Sequence, residues 1–144
     1  MIQPSQPGRR TFIAGSVVLI LFGAVHVLAV YQANFTTQPD PKLAEIDAAA
    51  KAYTVRLGPF SPTAFGGIQI LNSSYSVLLI YAGVLNLLVL RAASQAGRLK
   101  AITVCNVVFV GLLLGITILF QFPPPMLFAA TAFVLFGVSW AKQR

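Results

Sequence analysis

The chain has 144 residues, of which 57% are hydrophobic and 9% are charged, and its mean hydropathy is +0.81. This length leaves room for one domain, and so apolar a composition leaves none for a separate soluble domain beside it. The formal net charge is +7, but the basic residues stand alone or in pairs beside apolar stretches. Because they form no stripe or long tail, they argue against nucleic-acid binding and indicate topology signals and attraction to anionic lipid.

Four apolar stretches are long enough to cross a bilayer. Each is near the roughly 20 residues that a membrane-spanning helix needs. Unpaired backbone groups are costly in hydrocarbon, so each span should be a helix with its hydrogen bonds satisfied internally. In chain order the stretches cover residues 11–31, 65–90, 101–121 and 124–141. We therefore expect an all-α membrane protein, with residues 1–144 forming a single domain built on a bundle of four transmembrane helices.

The segment between the first and second spans predicts one further helix, outside the membrane core. Asp40 is a suitable N-cap, and Pro41 takes the first helical position, which proline favours. Gly58-Pro59 provides a stop signal. Apolar residues recur on one face between these signals, at Leu43, Ile46, Ala50, Tyr53 and Leu57. The pattern predicts an amphipathic helix over residues 41–57, lying across the outer mouth of the bundle or in the membrane interface.

Charges beside the spans predict the orientation of the chain. If the spans alternate in direction, one side of the membrane holds Arg9, Arg10, Arg91, Arg98, Lys100, Lys142 and Arg144. Residues 32–64 lie on the other side, where basic and acidic side chains balance. The positive-inside rule therefore places both termini in the cytoplasm. Arg9-Arg10 also suits a twin-arginine export signal, but the apolar run that follows is too long for one and lacks a small-x-small cleavage site.

A polar layer is expected in the outer half of the membrane. His26 lies outward of the centre of the first span, and Asn72, Tyr75 and Ser76 occupy a similar depth on one face of the second. An ionisable side chain within a span indicates function by default, so His26 is a candidate proton shuttle, general base or haem or metal ligand. These four residues form the predicted ligand-binding set. The alternative is a neutral histidine that only holds helices together through Tyr75 or a backbone carbonyl.

A second polar layer is expected deeper in the membrane. Asn86 on the second span and Asn106 on the third are at matching depths in the cytoplasmic half. Facing amides can satisfy each other's donors and acceptors across a helix interface. We interpret this pair as structural.

Several kinds of chemistry lack the residues they need. One histidine and one cysteine, Cys105, cannot form a four-ligand zinc site, and bis-histidine haem would require His26 from two protomers. No span contains Asp or Glu, so a catalytic triad has no orienting carboxylate. Ion-coupled transport lacks a coupling carboxylate for the same reason. The sequence therefore predicts no metal site and no catalytic residue beyond the candidate His26, and it favours a protein that is not an enzyme.

The chain resembles a family of uncharacterised small four-span bacterial inner-membrane proteins. The residues that carry the resemblance are Gly23-x-x-His26, Pro39-Asp40-Pro41-x-Leu43-Ala44, Ser74-Tyr75, Tyr81-x-Gly83 and the turn Phe122-Pro123 through Pro125-Met126-Leu127-Phe128. The resemblance covers most of the chain and implies the same architecture in a bacterial inner membrane. Members have an aromatic–acidic pair soon after the tyrosine, where this chain has Ser76-Val77. The family has no assigned reaction, so the resemblance implies nothing about activity.

The sequence is compatible with two competing functions. The first is an integral membrane subunit or scaffold that packs against lipid and another membrane protein or further copies of itself. The second is a binding protein or enzyme for a hydrophobic molecule (a lipid, quinone or isoprenoid) with His26 in an outward-opening pocket. Transport comes third, because the coupling residue is missing.

Overall fold

The computed structural model describes residues 7–36, 40–92, 96–121 and 123–143, without the side chains of residues 92 and 96–98. The described residues form five helices: α1 (Arg9–Phe35), α2 (Pro41–Ala52), α3 (Ala64–Ala92), α4 (Ala96–Leu119) and α5 (Pro123–Ala141). Four of them, α1, α3, α4 and α5, are long and apolar enough to cross a membrane. The predicted all-α class is confirmed, and so are four helices with the length and composition that membrane spans need. Pro39, Phe122, Arg144 and the side chain of Arg98, which entered the sequence predictions, lie outside the described residues.

Helix α2 begins where the sequence predicts. The Asp40 side chain accepts a hydrogen bond from the backbone N–H of Lys42 at 2.8 Å, and Pro41 opens the helix. The predicted C-terminal end at residue 57 is wrong, because the helix ends at Ala52. The chain then turns back on itself, and its backbone groups pair across the turn. The Val55 N–H donates to the Pro62 carbonyl at 2.9 Å, so this stretch cannot continue the helix.

The turn after α2 explains the early end of the helix. Leu57 and Phe60 exchange both backbone hydrogen bonds, which leaves Gly58 and Pro59 as the two central residues of a hairpin turn. Gly58 has a φ of 61°, a value that glycine adopts without strain. A positive φ followed by proline suits a type II′ turn, whose twist fits paired strands. The Gly-Pro pair thus makes a hairpin, where the sequence pattern alone indicated a helix stop.

Helix α2 has no buried residue, and Leu43 and Ile46 on its apolar face are exposed. Its amphipathic role at the membrane surface therefore stays a prediction. One contact joins it to the start of α3, where the Lys51 ammonium lies 4.7 Å from the centre of the Phe65 ring. A cation over an aromatic face is attracted by the ring quadrupole, so this contact holds the end of α2 against α3.

The chain forms two compact units. The first comprises residues 1–22 and 79–144, and the second comprises residues 23–78. The boundary falls within α1 and within α3, so each of these helices contributes one segment to each unit.

In the first unit, α1 contacts α3 and α5. A Cβ placed on Gly83 of α3 would lie 2.6 Å from both the Ser16 carbonyl oxygen and a side-chain carbon of Ile20 on α1. The two backbones therefore approach closely, as small residues permit in membrane helices. On another side of α1, the rings of Phe12 and Phe136 of α5 are both fully buried and meet edge to face at 5.5 Å.

Two further interfaces complete the first unit. Helices α3 and α4 are joined by Asn86 and Asn106, and α4 packs along α5. At one end of the α4–α5 pair, the Gln143 amide donates to Thr103 of α4 at 3.2 Å and to Ser139 of α5 at 2.9 Å. Each of the four helical segments thus contacts two neighbours, and the first unit is a four-helix bundle.

The outer surface of the spans is apolar. Large hydrophobic side chains are exposed along every span, as at Leu21, Val77, Leu112 and Val134. In water such a surface would be unfavourable, whereas lipid tails solvate it as well as another helix does. Together with the four long helices, this surface identifies a multi-pass membrane protein.

Candidate functional site

The predicted outer residues meet in the second unit. The His26 Nδ1 atom lies 2.8 Å from the Ser76 Oγ, and the Ser76 hydroxyl donates to the Asn72 carbonyl at 3.0 Å. The Tyr75 ring meets the imidazole edge to face, with 5.2 Å between the ring centres. All four predicted residues therefore contribute to one cluster, although Asn72 does so through its backbone and not through its amide. We call His26, Asn72, Tyr75 and Ser76 the histidine cluster.

The hydrogen bonds of the histidine cluster favour one tautomer of His26. Ser76 has a single hydroxyl proton, and that proton is given to the Asn72 carbonyl. With the hydroxyl proton so placed, the Ser76 oxygen is free to accept from His26, which favours the tautomer with the proton on Nδ1. In the neutral ring this leaves Nε2 as an acceptor. The geometry therefore prepares the imidazole to accept a hydrogen bond, or a proton, at Nε2.

The inner pair of amides is joined by reciprocal hydrogen bonds. The Asn86 amide donates to the Asn106 carbonyl oxygen at 2.7 Å, and the Asn106 amide donates back at 3.0 Å. Asn106 also donates to the Ile102 carbonyl at 2.9 Å. Both residues are buried, and their mutual satisfaction is what a helix-joining pair requires.

A groove of about 480 Å³ lies between α1 and α3 in the second unit. Apolar side chains make up most of its wall, and polar side chains from both helices interrupt it. Its lining residues are Val27, Val30, Tyr31, Asn34, Phe35, Gln69, Ile70, Ser73 and Ser74. No charged side chain lines this groove within the described part of the chain. We call it the α1–α3 groove.

Gln69 is the unusual residue of the α1–α3 groove. Its Oε1 atom is buried, and among the described residues it has no hydrogen-bond partner. Leaving a buried acceptor unpaired costs about 1–3 kcal/mol, so such atoms usually meet a donor. The other amide of the wall differs in this respect, since the Asn34 side chain donates to the Val30 carbonyl at 2.7 Å.

The histidine cluster and the α1–α3 groove are neighbours along both helices. No member of the cluster lines the groove, but His26 directly precedes Val27 and Ser76 follows Ser73 by one turn. The sequence did not single out the groove residues. A signal was present, because Gln69, Ser73 and Ser76 recur at the spacing of one helix face and continue the polar stripe one turn before Asn72.

The remaining candidate for chemistry, Cys105, belongs neither to the histidine cluster nor to the lining of the α1–α3 groove. Cys105 is exposed on α4, and no group of three His, Cys, Asp or Glu side chains that could hold a metal occurs in the described ranges. The site is therefore built from neutral hydrogen-bonding groups around a single imidazole.

Comparison of the chain with protein-family models, curated proteins and solved structures finds no match. The fold and the site thus define the class, a four-span membrane protein with a polar cluster and a groove between α1 and α3. The family resemblance stays a prediction.

Proposed function

We propose that this protein binds an amphipathic molecule of the membrane, of the lipid, quinone or isoprenoid type, in the α1–α3 groove. The observation that carries the proposal is the groove itself, whose mostly apolar wall includes Gln69, a residue with a buried Oε1 that has no hydrogen-bond partner among the described residues. A mostly apolar pocket with a few placed polar groups is the usual form of a small-molecule site, and such sites measure roughly 300–1,000 Å³.

The groove suits a molecule with an apolar tail and a polar end. Valine, isoleucine and aromatic side chains offer the tail a hydrocarbon surface, and Gln69, Ser73 and Ser74 offer hydrogen bonds. An amphiphile already dissolved in the bilayer reaches such a groove by lateral diffusion, without crossing water. The α1–α3 groove therefore needs no aqueous channel to fill.

The histidine cluster extends this site toward the centre of the spans. Because His26 and Ser76 follow the groove residues along α1 and α3, a ligand that reaches past Val27 and Ser73 meets the imidazole. In this proposal His26 accepts a hydrogen bond through Nε2 or acts as an acid or base. Tyr75 orients the imidazole by their ring contact, and Asn72 does so through Ser76.

Filling the groove tests the proposal. Ser73→Trp places a large side chain in the groove wall, whereas Val77→Trp places it one turn further along α3, at an exposed position that does not line the groove. Native mass spectrometry of protein released gently from membranes should show bound amphiphile on the wild type and on Val77→Trp. We expect Ser73→Trp to lose most of it. Equal loading of the two variants would contradict the proposal.

The proposed membrane and the orientation of the chain in it are based on the sequence. We place the protein in a bacterial inner membrane with both termini in the cytoplasm, on the support of the basic residues beside the spans. Helix α2 then lies on the outer side, at the membrane surface. A role as a subunit or scaffold for another membrane protein, or for further copies of this chain, rests on the sequence alone, since lipid-facing and partner-facing surfaces are equally apolar.

A further inference from the structure

We propose that the ligand of the α1–α3 groove presents an uncharged hydrogen-bond donor, a hydroxyl group, to Gln69. This inference rests on the proposed function and narrows the class of ligand. The choice of a donor is based on which polar atoms of the groove residues already have a hydrogen-bond partner and which do not.

The wall of the groove contains few polar side chains, and they differ in whether their hydrogen bonds are already formed. The Asn34 amide is engaged with the Val30 carbonyl, whereas the Gln69 Oε1 is buried without a donor in the described part of the chain. Ser73 and Ser74 add hydroxyl groups, which can donate or accept. The unmet requirement of the groove is therefore a donor, and an acceptor-only ligand would leave that requirement unmet.

The lack of charged side chains in the described lining of the groove narrows the class of ligand further. A phosphate or carboxylate head in a groove of low polarity requires a cationic partner, and the described lining has none. A bare carboxylate or phosphate would also bring lone pairs toward the Gln69 Oε1, which repels them. Isoprenoid phosphates and fatty acids are therefore poor ligands for this groove. An oxidised quinone is a poor ligand as well, because its carbonyl groups only accept hydrogen bonds and cannot donate to the Gln69 Oε1. An isoprenoid alcohol, a quinol or a diacylglycerol is a suitable ligand, because each joins a neutral hydroxyl to an apolar tail.

Photo-crosslinking with matched probes tests the inference. The probes are one long-chain alcohol bearing a diazirine, its methyl ether and the corresponding carboxylic acid, each presented to the purified protein in neutral lipid nanodiscs. Peptide mass spectrometry then measures labelling of residues 27–35 and 69–74. We expect the alcohol to label this region at least fivefold more than the ether or the acid, since one neutral hydrogen bond to a buried partner is at stake.

Substitution of Gln69 provides a second test of the preference for a hydroxyl group. Gln69→Leu keeps a similar volume but removes the acceptor, so the preference for alcohol over ether should fall to about one. The matched control is Gln32→Leu, on an exposed residue of α1 that does not line the groove. It should keep the preference. The wild-type comparison of alcohol and ether needs no variant, so it stands even if Gln69→Leu fails to fold.

The outcomes separate this inference from the proposed function. If alcohol and ether label the wild-type groove equally, or if Gln69→Leu keeps the preference, Gln69 does not select a hydroxyl and the inference is overturned, while the groove remains an amphiphile site. If none of the probes labels residues 27–35 or 69–74 in the wild type, both the inference and the proposed function fail.

Discussion

His26 shows how two hydrogen bonds define the chemistry of one side chain. The Ser76 hydroxyl points its proton at the Asn72 carbonyl, which favours an imidazole that donates through Nδ1 and keeps Nε2 as an acceptor. An aqueous histidine exchanges its two tautomers freely, whereas this arrangement favours one. This arrangement leaves Nε2 as the ring nitrogen that can accept a hydrogen bond.

The tautomer can be measured directly, because the chain contains a single histidine. Nitrogen-15 NMR of histidine-labelled protein, at a pH well above the ordinary histidine range, should show a protonated Nδ1 and an unprotonated Nε2. Ser76→Ala removes the acceptor and should give a mixture of tautomers. Ser74→Ala leaves the Ser76 hydrogen bond in place and should keep the wild-type signals. A wild-type spectrum with the proton on Nε2 would refute this assignment.

The pair Asn86 and Asn106 permits a quantitative prediction at the same scale. Replacing either residue with leucine leaves the other buried amide without its partner, so we expect each change to lower the free energy of unfolding by about 1–2 kcal/mol. The double replacement should cost less than the sum of the two single costs, since no amide is then left unpaired. Reversible unfolding in mixed micelles measures all three. Strict additivity would show that the two amides do not interact.

At the scale of elements, the close approach of α1 and α3 depends on Gly83. The Cβ of an alanine there would overlap the Ser16 backbone, which cannot move aside as a flexible side chain could. Gly83→Ala should therefore separate the helices and lower the free energy of unfolding by about 1–3 kcal/mol. Gly115→Ala on α4 is the control, since nothing lies within 4 Å of its added Cβ.

Thermal unfolding in detergent distinguishes the two glycines. Gly83→Ala should lower the melting temperature, and Gly115→Ala should keep or slightly raise it because alanine is the better helix former. Equal melting temperatures for the two variants would mean that the α1–α3 contact contributes nothing to stability.

Helix α2 and the hairpin after it show, at the scale of elements, which features short-range sequence signals predict and which they do not. The Asp40 cap and Pro41 act within one turn, so the sequence predicts the start of α2 correctly. Its end depends on whether residues 53–57 keep helical hydrogen bonds or pair with residues 60–64. That choice is decided by backbone pairing across the Gly58-Pro59 turn, which the helical spacing of Tyr53 and Leu57 does not report.

For the whole molecule, the proposed orientation makes a prediction about accessibility. In a Cys105→Ala background, Lys42→Cys and Lys142→Cys introduce single cysteines at exposed positions of α2 and just beyond α5. A membrane-impermeant maleimide on cells with a permeabilised outer membrane should label position 42. Position 142 should react only after the inner membrane is opened. Labelling of both positions from the same side would contradict an even number of spans with cytoplasmic termini.

The number of candidate spans follows from the amino-acid sequence alone, because hydrocarbon thickness requires a minimum length of apolar helix and this chain has four stretches that meet it. The sequence also predicted the depth of His26, Asn86 and Asn106, since depth follows from position along a helix of constant rise. These features depend on one residue or one segment at a time, and neighbouring helices do not alter them.

Which faces of the helices meet is visible only in the folded protein. Lipid is as apolar as a packed helix, so no hydrophobic periodicity marks the buried side of a span. Three features each depend on the rotation of one helix against another: the contact of Gly83 with Ser16, the hydrogen bond between His26 and Ser76, and the Gln69 Oε1 without a partner among the described residues. That rotation is determined by shape and hydrogen bonding between helices distant in sequence, and for this reason the α1–α3 groove emerges only from the folded protein.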